Sequence, residues 1–285
     1  MKKFKLGIDD NPGFDLPFED RIATIKRVGF DACFTGWSDG CDVDHYANVI
    51  AKNGLIYQSI HAPFGRVDSL NRANCAVMWE DEGELGEGYT DMLIRCVKDA
   101  HRVGVPMVVI HPIIGMDRHT PSELGLKRYG RLIEAAEKEN VLLGFENVEG
   151  IEYLDAIMER YADCKTAGFC WDTGHEMCYN FSNDVMAKYG KKLYGTHFND
   201  NLGMENPNEV TWLDDLHLLP FDGIADWKNI MARINRDGYE GILTFELTIK
   251  NKPGKHTHDA YAAMEPEEFL AEAYARAQRI LALAE

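Results

Sequence analysis

The feature that most restricts how this chain can fold is a repeated change of period. Eight times, a short apolar, β-branched run gives way to a polar loop and then to an amphipathic helical stretch. The strand-like runs are FKLGID (4–9), ACFTG (32–36), IYQSIHA (56–62), MVVIHPI (107–113), LLGFENV (142–148), AGFCWDT (167–173), LYGTHF (193–198) and GILTFEL (241–247). Helical periodicity fills 16–28, 43–53, 88–103, 120–139, 151–162, 183–192, 225–237 and 265–284. Gly29, Gly54, Gly104 and Gly238 stand where a helix is expected to end in left-handed backbone, just before the next strand. The acidic starts PSEL and EPEEF suit the positive end of a helix dipole. Strands that alternate with helices pair parallel, through right-handed crossovers. Eight such units in 285 residues fit the size of a (β/α)8 barrel. The expected fold is therefore α/β, a single (β/α)8 TIM barrel over residues 1–285. A doubly wound open sheet is the competitor, but it usually carries a GxGxxG turn after its first strand, where this chain has DDNPGFD.

The strand ends carry the chemistry. Strand three ends at His61 in HAPF, strand four at His111 in IHP, and strand five at Glu146 in FENVEG. Strand six ends at Asp172, with His175 three residues on; strand seven ends at His197 in THFND, and strand eight at Glu246 in FEL. A buried carboxylate costs several kcal/mol unless its charge is compensated. Singly, each residue has a structural reading: a hydrogen-bonded histidine, a salt-bridged glutamate, or Asp172 as a helix cap ahead of Thr173 and Gly174. Jointly, six consecutive strands would need six separate explanations, whereas a closed barrel brings all these ends to one mouth. The expected cage is Glu146, Asp172, His197 and Glu246. Three carboxylates and an imidazole suit a divalent ion: Mn²⁺ or Mg²⁺, with Zn²⁺ and Co²⁺ as alternatives. His61, His111, His175, Asp215 and His217 form a surrounding set for substrate or additional metal. Loops 63–87 and 199–224 are long enough to be functional.

Composition narrows the partners. A net charge of −17 disfavours nucleic acid and anionic membranes. Arginines 66, 72, 118 and 128 are expected near the mouth but form no basic run. Seven cysteines without a CxxC pair, and a start without a signal-peptide apolar run, suggest reduced thiols and a cytoplasmic protein. No apolar stretch is long enough to span a membrane. The expected partner is a small sugar or polyol, with a homo-oligomer left open.

At these residues the sequence resembles the xylose-isomerase-like TIM barrels, a superfamily of sugar isomerases, ketose 3-epimerases, inosose dehydratases and endonuclease IV-type AP endonucleases. HAPF, HP, EN, DTGH, HxxD and FEL carry the resemblance in the superfamily's order, over nearly the whole chain. It implies that Glu146, Asp172, His197 and Glu246 hold one divalent metal, that the two glutamates also move protons, and that His175 contacts substrate. In the AP endonucleases all nine matched positions, including His61, His111, Asp215 and His217, bind three zinc ions. Departures exist: Gly203 stands where ketose epimerases carry arginine, and Ile113 stands where the nucleases carry glycine.

The function expected is a divalent-metal-dependent sugar isomerase or epimerase, moving a proton through a metal-stabilised enediolate on a ketose, aldose or inosose. The alternatives are an inosose-dehydratase-like lyase, a three-zinc AP endonuclease, and a noncatalytic binder on the same scaffold. Trp37, Phe64, Phe198 and Trp212 are candidates for stacking on sugar faces or for packing the barrel top, and the NKPGKHTHDAY loop is a candidate anion grip, lid or subunit contact.

Overall fold

A computed structural model describes residues 4–116 and 120–283. Arg118, expected near the mouth, lies outside these. The eight expected strands form one parallel sheet in the order β7-β6-β5-β4-β3-β2-β1-β8. They are β1 (Leu6–Asp9), β2 (Ala32–Gly36), β3 (Ile56–His61), β4 (Met107–Ile110), β5 (Leu142–Glu146), β6 (Ala167–Asp172), β7 (Leu193–His197) and β8 (Leu243–Phe245). Most are shorter than expected, because the chain leaves the ladder once polar side chains begin; after His111, Pro112 has no N–H to continue it.

The sheet closes almost completely between β7 and β8. The seam consists of the bridge Phe198–Phe245, with Phe198 N donating to Thr244 O at 2.7 Å and Glu246 N donating to Phe198 O at 3.2 Å. The Thr196 hydroxyl completes it: it accepts Thr244 N at 2.8 Å and lies 3.3 Å from Thr244 O.

Side chains alternate across a strand, so residues two apart share a face. The layer just below the rim residues is accordingly Gly7, Ser59, Val109, Gly144, Cys170, Gly195 and Thr244. These are mostly small, and Met107 fills the space they leave. A Cβ on Gly195 would stand 2.7 Å from Met107 Cε, and one on Gly144 would stand 3.3 Å from its Sδ. The larger apolar core lies between the outer strand faces and the helices, around Phe145, Phe169, Trp171 and Phe245.

The outer helices follow the expected positions. The glycines after them, Gly29, Gly54, Gly104 and Gly238, all have positive φ. Ser122 caps the fourth expected region, and Pro266 opens the last helix. Two expectations need correction. The helix expected from residue 88 begins earlier, at Glu84, its first turns concealed in the sequence by Gly86; that position is glycine because the Arg128 guanidinium occupies the place of a Cβ, 2.2 Å away. The single helix expected over 183–192 is a short turn, Met186–Tyr189, followed by 3-10 backbone at Gly190–Lys192. The loop after β3 carries a 3-10 turn, Asp68–Leu70, and a short helix, Val77–Glu80. Among the described residues no helix is long and apolar enough to cross a membrane.

The loop after β7 is tied at its base by Asp200, which is fully buried. Its Oδ1 accepts the N–H groups of Asn201 and Ala225, each at 2.9 Å. Its Oδ2 accepts Phe221 N at 2.8 Å and the Trp227 indole N–H at 3.1 Å.

Thr196→Val preserves shape but leaves the buried Thr244 N–H at the seam without its acceptor. It is expected to lower the unfolding free energy by about 1–3 kcal/mol, read from urea denaturation with an unchanged m-value.

Candidate functional site

All nine residues expected at the mouth gather there. Glu146, from the end of β5, sits at the centre and is fully buried. Its Oε2 lies 3.3 Å from His61 Nε2 and 3.2 Å from His111 Nε2. Its Oε1 lies 3.1 Å from His197 Nδ1 and 3.5 Å from His175 Nδ1. His197 Nδ1 is also 3.2 Å from Glu246 Oε2, so one imidazole nitrogen stands between the two glutamates. Asp215 Oδ1 lies 2.9 Å from His217 Nε2 and 3.5 Å from His175 Nε2. Three groups have ligand atoms close enough to share an ion: Glu146, Asp172, His197 and Glu246; His61, Glu146 and His197; and Asp172, His175 and His217.

Proton placement makes these contacts unusual. A backbone carbonyl only accepts, so a ring nitrogen bonded to one must carry the proton. His61 Nδ1 is bonded to Ala62 O at 2.9 Å, His175 Nδ1 to Asn147 O at 2.9 Å, and His217 Nδ1 to Glu246 O at 3.2 Å. On the neutral ring, Nε2 then offers a lone pair, and it points toward carboxylate oxygens. Glu146 Oε2 and Asp215 Oδ1 are both buried and lack any aligned hydrogen-bond donor. Facing lone pairs require either an extra proton on each ring or a cation between them. His217 also has a φ of 51°, left-handed backbone uncommon for a residue with a side chain.

The protonation equilibria reflect the same crowding. Burial alone would push His197 down, but Glu146 and Glu246 outweigh it and raise it well above its usual value. His175 is raised against the pull of burial by Asp172 and Asp215. His217 is raised to about 10, with Asp215 outweighing burial. Burial would raise Glu146, Glu246 and Asp215, but the imidazoles hold all three below the carboxylate range. Asp172 behaves differently: burial raises it to about 6, and His175 and His217 only partly offset this. His111 is lowered, chiefly by burial.

Asp172 serves both readings at once. Its Oδ1 caps the helix Thr173–Cys178 by accepting His175 N at 2.7 Å, and it also stands in two of the three ligand groups. Two asparagines, given no role by sequence reasoning, fix it. Asn147 accepts Asp172 N at 2.8 Å and donates to Asp172 O at 2.9 Å. Asn199 Nδ2 donates to Asp172 Oδ2 at 2.9 Å. Glu149 and Tyr179, also unforeseen, line the cavity beside His175. Asn147 was visible in the EN pair of β5, but nothing in the sequence tied Asn199 or Tyr179 to the mouth.

The aromatic expectations divide. Phe198 is fully buried against Trp171, Trp227 and Phe245 and cannot stack on a ligand. Trp37 is buried, with its indole N–H donated to Asp99. Phe64 lies parallel to His111, with ring centroids 4.0 Å apart, and lines the mouth. Trp212 is half exposed, with the Lys252 ammonium 5.4 Å from its ring centroid. Of the arginines expected near the mouth, Arg128 is instead buried and paired with Glu87, and Arg72 pairs with Asp68. In the loop after β8, Lys252 pairs with Asp215 and Lys255 with Asp214, so these cations tie the loop to its neighbour. His258 is buried, with Nε2 donating to Leu216 O at 2.7 Å. Gly203, at the epimerase arginine position, has left-handed backbone with φ 75°.

A family-wide sequence profile described as "Xylose isomerase-like TIM barrel" matches residues 22–273. Relatives include the uncharacterized protein y4fM of Sinorhizobium fredii, 27% identical over 264 residues and covering 82% of each chain. The inosose dehydratase of Geobacillus thermodenitrificans is 25% identical over 277 residues, covering 86% of this chain and 89% of that one. Among solved structures, an L-ribulose 3-epimerase superposes with a TM-score of 0.70 at 15% identity, covering 99% of this chain and 96% of its own. The strand order, the rim residues and the match across most of the chain agree: this protein belongs to the xylose isomerase-like TIM barrel family.

Proposed function

We propose that the protein is a divalent-metal-dependent sugar isomerase or epimerase. The observation that carries this reading is the set of facing acceptors at the rim: Glu146 Oε2 is buried without an aligned donor beside His61 Nε2, and Asp215 Oδ1 beside the Nε2 atoms of His175 and His217, three rings that give their Nδ1 protons to backbone carbonyls. Glu146, Asp172, His197 and Glu246 would hold the ion. When bound, it supplies Lewis-acid polarisation of a carbonyl, which acidifies the neighbouring C–H. Carboxylate and imidazole donors without a thiolate suit Mn²⁺, Mg²⁺, Co²⁺ or Zn²⁺.

The two glutamates divide the proton transfer. Glu246 has a side chain 25% exposed and lines three cavities that meet at the mouth, so it reaches substrate directly. Glu146 lies deeper and returns or receives the proton from the opposite side of His197. Histidine–carboxylate contacts keep both glutamates ionised, the form a base requires. The substrate class, a polyhydroxylated carbonyl compound, is supported by the likeness to an L-ribulose 3-epimerase and an inosose dehydratase. The latter favours a second reading, an inosose-dehydratase-like elimination, which begins with the same proton abstraction. The nuclease reading is disfavoured: Arg72 and Arg128 are paired with acids, and the net charge is −17.

The test is to strip the protein of metal, reload it with Mn²⁺, Mg²⁺, Co²⁺ or Zn²⁺, and incubate it in D2O with D-fructose, D-tagatose, L-ribulose and scyllo-inosose. Deuterium in a recovered ketose supports epimerisation, and an unsaturated ketone from inosose supports elimination. Neither product with any metal would reject the proposal. Elemental analysis separates one ion per chain from the three of a nuclease-like site. Glu246→Gln is expected to slow exchange by about 10²–10⁴-fold. Asn199→Ala is expected to weaken metal affinity by about 10–100-fold, measured by competition with a chelating dye, because Asp172 loses the donor that orients it.

A further inference from the structure

The rim holds one more carboxylate, which neither the ligand groups nor the proton-transfer scheme uses. Asp9 ends β1 on the inner face and is 8% exposed. Its Oδ1 accepts Leu247 N at 3.3 Å, which fixes it beside Glu246. Among the described residues its carboxylate meets no other hydrogen-bond donor and no cation. The neighbouring Asp10 contrasts with it, being paired with Arg21 at 2.8 Å. Asp9 belongs to none of the three potential ligand groups. Such a carboxylate destabilises the fold unless its lone pairs have another use.

The surrounding space indicates that use. Asp9 lines a cleft of about 540 Å³ over the ends of β1–β3, together with Phe34, Trp37, His61, Phe64 and Glu246. It also lines a second cavity of about 370 Å³ toward the loop after β8, again with Glu246. Its carboxyl group therefore opens onto the space from which Glu246 reaches a substrate. A carboxyl oxygen accepts hydrogen bonds from hydroxyl groups, and the aromatic walls suit the C–H faces of a carbon chain. We propose that this cleft binds the polyol portion of the substrate and that Asp9 is its specificity-determining residue, accepting substrate hydroxyls beside the carbon addressed by Glu246. The inference rests on the sugar reading above and adds where the substrate lies.

Asp9→Asn keeps the shape and the acceptor for Leu247 N but replaces the other acceptor with a donor. The full-length protein loaded with Mn²⁺ is compared with this variant in four measurements. They are the Kd for xylitol by calorimetry, kcat and KM for the ketose that exchanges deuterium fastest, metal per chain, and Tm. The expected result is at least tenfold weaker xylitol binding and a similar rise in KM, with kcat within threefold, metal content unchanged, and Tm equal or higher. A merely structural role would lower Tm instead. Unchanged affinity would overturn the proposal, as would metal loss in step with affinity, which would make Asp9 a support of the cage. Asp9→Ser serves the same comparison if the asparagine variant does not fold. Should the wild type bind xylitol but exchange no ketose, the isomerase reading fails while the binding measurement still decides the role of Asp9. A wild type that binds neither xylitol nor any ketose overturns it.

Discussion

An imidazole that has given its Nδ1 proton to a backbone carbonyl has only a lone pair left at Nε2. This constraint, imposed on His61, His175 and His217 at one rim, governs the rest of the site. The carbonyls that impose it come from Ala62, Asn147 and Glu246, which follow or form the ends of β3, β5 and β8. The barrel backbone therefore sets the ring orientations. Carboxylates from β5 and from the loop after β7 are brought against those lone pairs, and positive charge has to enter between them, as protons or as an ion. A closed parallel barrel is suited to this, because it holds chain segments more than a hundred residues apart in fixed register at one end.

The surrounding structure resists the resulting repulsion. Asp172 cannot swing away, because Asn147 grips its backbone and Asn199 its carboxylate. Gly174 lets Asn199 approach; a Cβ there would stand 1.9 Å from its Oδ1. Behind the helix Thr173–Cys178, Glu176 accepts the Trp171 indole N–H at 3.0 Å and pairs with Arg233 at 2.7 Å, while that guanidinium lies over the Trp171 ring. The helix that carries His175 is thus clamped from its outer side. Layers of partners of this kind are what keep metal-competent side chains oriented.

Much of this was legible in the sequence. The β period is two, so a single polar residue ending an apolar run declares its face, and His61, His111, Glu146, Asp172, His197 and Glu246 announced themselves in this way. Asp215 and His217 were legible as an Asp-x-His pair in the long loop after strand seven, but not their direction, since a loop has no period to fix it. The run FKLGID also ended at Asp9, but a lone aspartate ahead of the turn sequence DNPGFD reads equally well as a turn residue, so its place at the rim was not singled out. Asn199 was illegible because its partner, Asp172, is set by the packing of β6 against β7, which sequence spacing does not encode. Gly86 misled for a related reason: its cost to a helix is offset by Arg128, a residue from a different helix.

The Asp200 knot has a consequence for how such a protein can diversify. Four N–H groups from residues 201, 221, 225 and 227 converge on one side chain, and Asn201 reaches Asp214 O at 2.9 Å. The base of the loop is thereby fastened independently of its tip, where Leu202 and Trp212 are half exposed. Residues between these anchors can be lengthened, shortened or exchanged while Asp215 and His217 keep their coordinates. The tip and the acid–histidine pair thus occupy one loop without sharing its mechanical support, and the tip is free to drift under selection while the pair beneath it stays put.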